Sequence, residues 1–174
     1  MKKDLFSEIM WDPAKVDLDD FVKRWTARRY GRSLAWKLQP ATDALVQTIY
    51  SADNPDLYGI PLYRNWAMGS YLPGLTPGSV KRGISFLPGL RSALERMVAE
   101  HDHLRNSPLY RFDLIDYGRT YLAGIFNYHV AKTRKAMRAH DQAQFEKHAQ
   151  GMEEVMNFLA RYCSADPQFR LKTH

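Results

Sequence analysis

Apolar residues recur at alternating spacings of three and four along most of the chain, which is the period of an amphipathic helix. No stretch of any length alternates apolar and polar residues as a half-buried strand would. The pattern therefore predicts an all-α protein, an antiparallel bundle of about five to six helices. The helices are predicted over about 2–11, about 18–30, a segment after Ser33, and about 89–104, 109–139 and 141–163.

Several residues mark where these helices begin and end. Asp17 is a typical N-cap, and Gly31 is a typical residue just past a helix C-terminus. Pro40 would kink or break the third helix unless a new helix starts there. The last helix has the most regular seam, and its members are Phe145, His148, Met152, Val155, Leu159 and Tyr162.

The segment from about 51 to 89 has a different composition: prolines and glycines alternate along it, with aromatic residues between them. A loop of this length without strong periodicity is unusual in a compact domain and often has a function. Aromatic side chains there could stack on the faces of sugars, or could cap the open end of the bundle, and the second reading is favoured. The possible carbohydrate-facing residues are Tyr58, Tyr63, Trp66 and Tyr71.

Length and composition are those of one globular domain, residues 1–174, with 45% hydrophobic and 25% charged residues. The formal net charge is +6, but the basic residues are scattered and no nucleic-acid recognition motif is present. No apolar run approaches the roughly 20 residues of a membrane-spanning helix, and the first residues do not resemble a signal peptide. We therefore expect neither a nucleic acid nor a membrane partner.

Asp113, Asp116 and Arg119 lie inside the helix predicted over 109–139. Arg119 falls in the middle of the apolar stripe and needs a carboxylate partner, which Asp116 can provide from one turn away. Asp113 can reach a neighbouring helix. Two carboxylates on one side of one helix cannot flank a sugar ring as an acid and base must. We interpret the three residues as a structural ion pair and not as catalytic residues.

The remaining chemically active side chains predict no metal site and no cofactor. His101 and His103 face apart on a helix and are interpreted as surface residues. His129 and His148 are interpreted as core histidines that could face each other. Cys163 is the only cysteine, so an internal disulfide is impossible and a buried small side chain is expected.

Several short motifs occur in an order that resembles one known family. They are "SEIMW" (7–11), "FVKRWTARRYG" (21–31), "AWKLQPATDALVQTIYS" (35–51), "YRFDLIDYGRTYLAGIFNYH" (110–129) and "ADPQFRL" (165–171). The fourth contains Asp-Leu-x-Asp-x-x-Arg, which here is Asp113, Leu114, Asp116 and Arg119. The chain resembles the first part of the C-terminal all-α domain of the lysosomal and bacterial alpha-N-acetylglucosaminidases.

The resemblance implies a helical accessory domain of a glycoside hydrolase whose acid and nucleophile glutamates belong to a separate (β/α)₈ barrel. No glutamate of this chain matches them, so the chain is expected to be inactive alone. The implied partners are the catalytic barrel, which it would buttress, and a glycan with a terminal N-acetylglucosamine, whose cleft it could line. A homo-oligomer is a further possibility. The full enzyme would be secreted, periplasmic or lysosomal.

Two other readings stay open at this point. The chain could be a stand-alone helical module that binds carbohydrate or protein through its aromatic loop or basic surface. It could also be a glycosidase with an unrecognised acid pair.

Overall fold

The computed structural model describes residues 1–48 and 86–165. Within these ranges every regular element is helical, which confirms the predicted all-α class. The described residues form seven α-helices and one short 3₁₀ turn, Pro13–Lys15. The helices are α1 (Lys2–Trp11), α2 (Leu18–Tyr30), α3 (Arg32–Thr48), α4 (Leu87–Ala99), α5 (His101–Leu104), α6 (Pro108–Arg138) and α7 (Gln142–Ser164). No helix in the described part is long and apolar enough to cross a membrane.

Helix α2 begins and ends at the residues that the sequence predicts. The carboxylate of Asp17 accepts a hydrogen bond from the backbone N–H of Asp20 at 2.8 Å, which satisfies an otherwise unpaired group of the first turn. Gly31 has a φ of 90°, a backbone conformation that residues with a Cβ rarely adopt. The backbone N–H of Gly31 still donates a hydrogen bond to the carbonyl of Ala27. The local sequence therefore determines both ends of α2.

Helix α3 corrects two predictions. It begins at Arg32, so Ser33 lies inside the helix and does not precede it as predicted. It also continues through Pro40, so a break at that residue is wrong. The reason is that residues before and after the proline are buried on the same helix. Pro40 itself is exposed, while Leu38 and Ala41 on either side of it are buried. Burial of this face outweighs the local cost of the missing N–H.

The helix predicted over 89–104 is longer at its start and is divided. It begins at Leu87, because a proline such as Pro88 is tolerated in the first turn, where backbone N–H groups have no helical partner. It ends at Ala99, and the short α5 follows after Glu100. The helix therefore begins two residues earlier than predicted, inside the segment of 51–89, and residues 51–85 lie outside the described residues.

Two compact units make up the described part of the chain, and each is described by itself. The first unit contains residues 1–48 and 89–114, and the second contains 86–88 and 115–165. Helices α2 and α3 pack on each other in the first unit. Its most buried side chains are Phe21, Leu38, Leu45, Leu90, Met97 and Tyr110.

Helices α6 and α7 pack in the second unit as an antiparallel pair. The ring of Tyr162 lies against Gly118, and the ring of His129 lies against Gly151. Residues later in α6 therefore meet residues earlier in α7, as an antiparallel arrangement requires. In the predicted seam of α7, His148 and Leu159 are buried, and the other members are half-buried.

Candidate functional site

The most extensively bonded carboxylate in the first unit is that of Asp113. Its two oxygens accept hydrogen bonds from the Arg29 guanidinium, with Nε–Oδ2 at 2.6 Å and Nη2–Oδ1 at 2.5 Å. The hydroxyl of Tyr30 donates a third hydrogen bond to Oδ2 at 2.9 Å. Asp113 is 4% exposed, so this charge is compensated inside the protein by a planar, bidentate partner.

An aromatic platform completes this cluster. The guanidinium of Arg29 lies 5.4 Å from the ring centroid of Trp25, a favourable cation–π distance. The rings of Trp25 and Tyr30 meet edge to face with centroids 6.2 Å apart. The cluster therefore fastens the start of α6 to the last turns of α2 by charge, hydrogen bonds and ring contact together.

Asp116 has a different partner from Asp113. Its Oδ1 accepts a hydrogen bond from Nη2 of Arg119 at 2.5 Å, one turn along the same helix. The two side chains are 33% and 31% exposed, so Arg119 is less buried than its place in the apolar stripe predicts. The structure thus brings Asp116 and Arg119 together, while Asp113 binds α2.

The partners of Asp113 and Asp116 bear on whether the two could act as an acid–base pair. A glycosidase acid–base pair needs two carboxyl groups that face one bond from opposite sides. Here each carboxylate is bound by its own arginine, and the two share no partner among the bonds described above. The Asp113–Arg29 pair joins α6 to α2, and the Asp116–Arg119 pair lies within α6.

His129 of α6 and His148 of α7 face each other, with their Nδ1 atoms 3.2 Å apart. Burial is the main cause that lowers the pKa of His129, the nearby His148 lowers it further, and Glu154 acts weakly in the opposite direction. His148 is only 8% exposed. The pair is a contact between two helices in the second unit.

The other candidate side chains from the sequence, His101, His103 and Cys163, have separate surroundings. Nδ1 of His101 lies 3.3 Å from the hydroxyl of Tyr110, and that hydroxyl donates to the carbonyl of Met97 at 3.0 Å. His103 is exposed. Burial raises the pKa of the Cys163 thiol, which disfavours the reactive thiolate. No group of three or more His, Cys, Asp or Glu side chains in the described ranges could hold a metal ion.

Tyr58, Tyr63, Trp66 and Tyr71 lie outside the described residues, so their predicted role stays a prediction. The described part has an open groove of about 370 Å³ between α2 and α3. Its lining mixes apolar and polar side chains, among them Asp19, Lys23 and Asp43, and Asp43 already accepts a hydrogen bond from Gln39 at 2.8 Å. This groove has no aromatic wall on which a sugar could stack.

Helix α1 has an orientation that the sequence pattern does not reveal. Its acidic side contacts α2, because Glu8 pairs with Arg24 at 2.9 Å and with Arg28 at 3.6 Å. Its apolar side is turned outward, and Phe6 and Met10 are 63% and 69% exposed. An ordinary surface helix buries such an apolar side. The arginines of α2 are the signal that could have indicated otherwise.

The fold and these clusters define an all-α domain with structural ion pairs and an exposed apolar helix face. A family model described as "Alpha-N-acetylglucosaminidase (NAGLU) C-terminal domain" matches residues 21–173. The chain belongs to this family, and the match confirms the resemblance drawn from the sequence motifs. It is thus an accessory domain of a glycosidase, and the intact enzyme provides a catalytic domain as its partner. Searches of curated proteins and of solved structures found no match.

Proposed function

We propose that this domain packs against the catalytic domain of an alpha-N-acetylglucosaminidase through the outward apolar face of α1, supports it there, and does not hydrolyse glycan alone. The observation that carries the proposal is the orientation of α1. A surface helix normally buries its apolar face and exposes its charges. In α1 the large apolar side chains Phe6, Met10 and Trp11 are exposed, while Glu8 lies against α2.

The polar side of α1 is held firmly to α2. Two arginines of α2 bind the carboxylate of Glu8, and the indole N–H of Trp25 donates a hydrogen bond to Asp4 at 3.2 Å. Asp4 and Glu8 are four residues apart, so they share one face of the helix. These contacts fix which side of α1 points away from the first unit.

Four large apolar side chains of α1 are exposed. Phe6, Met10 and Trp11 are 63%, 69% and 93% exposed, and Ile9 is 40% exposed. Phe6, Ile9 and Met10 are three and four residues apart and so share one side of the helix, while Trp11 is its last residue. Single exposed apolar residues are ordinary, but four on one short helix favour an interaction surface. We call these four residues the α1 face.

The position of α1 in the chain favours the catalytic domain as its occupant. The family match begins at residue 21, and the family is by its description a C-terminal domain. The intact enzyme provides a catalytic domain as partner, and we propose that it lies on the N-terminal side of this domain, next to α1. A helix at such a junction docks at little entropic cost when both partners are joined covalently.

The described carboxylates support the second part of the proposal, which is that the chain has no activity of its own. Asp113 and Asp116 are each bound by an arginine, and Glu100 is bound by Lys37 at 3.0 Å. An inverting or a retaining glycosidase needs one carboxyl group to deliver a proton and another to act on the opposite face of the sugar. No facing pair of this kind is among the contacts of the described residues.

The aromatic residues Tyr58, Tyr63, Trp66 and Tyr71 are proposed to line the sugar cleft of the intact enzyme. The support is their residue type and grouping, since aromatic planes stack on the C–H faces of sugars. Replacing Trp66 by Ala should then raise KM for a glycan substrate of the intact enzyme, with a smaller effect on stability. An unchanged KM in both Trp66→Ala and Tyr63→Ala would contradict this part.

Docking is tested with matched pairs of variants, measured as binding of the chain to the separately produced catalytic domain. Met10→Asp and Trp11→Asp alter the α1 face. Met137→Asp and Trp36→Asp make the same changes at residues that are 58% and 71% exposed elsewhere. The first pair should weaken binding at least tenfold, because a charge in an apolar contact is desolvated without a partner. The second pair should leave binding unchanged.

Equal binding by both pairs of variants would contradict docking through α1. Sedimentation of the chain alone tests the other occupant, a second copy of the chain. The α1 face is a homodimer interface instead if two results are obtained together. The wild type forms a dimer that Met10→Asp abolishes, and neither Met10→Asp nor Trp11→Asp alters binding to the catalytic domain.

A further inference from the structure

His129 and His148 form a hydrogen-bonded pair between α6 and α7, with Nδ1 atoms 3.2 Å apart and ring centroids 5.3 Å apart. A neutral imidazole has one N–H and one bare nitrogen, so one Nδ1 can donate and the other accept. When both rings are protonated, each Nδ1 has a proton. Two N–H groups and two positive charges then oppose each other at this distance, and the hydrogen bond is lost.

The rings have little room to move apart. The ring of His129 lies directly against the backbone of Gly151, so closely that a Cβ on that residue would collide with it. Tyr128 meets both imidazoles edge to face, with centroids 5.5 Å from His129 and 6.0 Å from His148. Repulsion within the pair must therefore act on the packing of α6 against α7.

The charged groups around the pair do not cancel this repulsion. From α7, Glu154 attracts a positive charge on His129, but this attraction is weaker than the effects of burial and of His148. From α6, the Nζ of Lys132 lies 5.4 Å from the ring centroid of Tyr128, the residue next to His129. Burial and His148 thus disfavour an imidazolium at His129, and Glu154 favours one more weakly.

We propose that the His129–His148 pair makes the contact between α6 and α7 sensitive to acid: the neutral pair stabilises the contact, and protonation of both rings loosens it. This property is separate from docking and from hydrolysis. It would let the second unit loosen at mildly acidic pH while the first unit keeps its arginine–carboxylate cluster.

The direction of the pH effect follows from linkage between protonation and folding. The pKa of His129 is lower in the folded chain than the ordinary value of 6.5. The folded state therefore binds fewer protons than the unfolded state in this range. The stabilisation is fully present above pH 6.5 and is lost as the pH falls through the folded pKa of His129.

The direct test is NMR titration of the histidine side chains in the wild-type chain. His129 should titrate below the ordinary histidine value of 6.5, and its Nδ1 resonance should show hydrogen bonding to His148 at neutral pH. A His129 that titrates at or above 6.5 would overturn the proposal. Because the titration uses the wild-type chain, its result does not depend on whether any variant folds.

The second test is urea unfolding at pH 7.5 and pH 5.0 of the wild type and of His129→Gln, His148→Gln and the control His103→Gln. Each unit by which the pKa of His129 is lowered corresponds to about a tenfold rise in the unfolding equilibrium constant at acidic pH. The wild type and His103→Gln should show this rise. It should be much smaller in His129→Gln and reduced only in part in His148→Gln, because burial of His129 remains there. An equal rise in all four would overturn the proposal.

Discussion

At the residue scale, two ion pairs in one short segment have different origins. Asp116 and Arg119 are one turn apart, so helix geometry alone predicts that they can meet. Arg29 is 84 residues from Asp113, and nothing in the local sequence indicates that pairing. Sequence analysis therefore identified the polar residues of this segment but only one of the two cations that bind them.

Loss of the Asp113 carboxylate should be among the most destabilising single changes in the chain. Asp113→Asn keeps the shape but leaves the Arg29 guanidinium without its bidentate partner. Arg29 is 24% exposed, so we expect the lower end of the range for a broken buried pair, a loss of about 3 kcal/mol in the free energy of unfolding. Urea denaturation of the two proteins at neutral pH measures it.

The control for this change is Glu95→Gln, which removes a pair with Arg91 whose side chains are 62% and 67% exposed. Exposed pairs contribute little, so a change of less than about 1 kcal/mol is expected. If Asp113→Asn cost no more than Glu95→Gln, the cluster around Asp113 would not be the joint between α2 and α6 that we describe.

At the element scale, the presence of most helices could be predicted from the sequence, but the residues at which several of them begin or end could not. The caps of α2 are local, and the sequence contains both of them. The course of α3 through Pro40 depends on buried residues on either side of the proline, which local propensity does not consider. The orientation of α1 depends on arginines in another helix and was missed for the same reason.

Pro40→Ala should stabilise the chain, because it restores a backbone N–H to the middle of α3 at an exposed position. A proline in a helix interior costs about 3 kcal/mol relative to alanine, and part of this is offset because proline also restricts the unfolded chain by up to about 1 kcal/mol. We expect a gain of about 1–2 kcal/mol, seen as a higher urea midpoint. A loss of stability would show that α3 needs the proline.

Contact between α6 and α7 at Gly151 can be tested by a double-mutant cycle. Gly151→Ala should destabilise the chain by about 1–3 kcal/mol, although alanine favours helix, because the new methyl group meets the ring of His129. In a His129→Ala background the same change should be neutral or stabilising. Equal effects of Gly151→Ala in both backgrounds would mean that the ring and the glycine are not in contact.

At the scale of the whole molecule, the fold class and the family were both predicted from sequence. Periodicity of the apolar residues was enough for the class, and ordered short motifs were enough for the family. The outward side of α1, which we propose as a docking surface, could not be predicted, because amphipathic periodicity shows that a helix has an apolar face but not which way that face points.

The chain is proposed to behave as one domain, residues 1–174, in unfolding. Helix α6 supplies residues to both compact units, so melting of either one should disrupt a shared helix. Calorimetric and van't Hoff enthalpies of unfolding should then agree at neutral pH. A calorimetric enthalpy well above the van't Hoff value would indicate two separately folding units.

The central claim is that this domain assists a hydrolase and is not itself one. The most direct measurement is release of chromophore from an aryl α-N-acetylglucosaminide by the purified chain, shown to be folded by its helical circular dichroism. The account predicts no turnover above the rate without protein. Turnover that is lost in Asp113→Asn or Asp116→Asn, while those variants stay folded, would contradict it and would make these aspartates the catalytic residues.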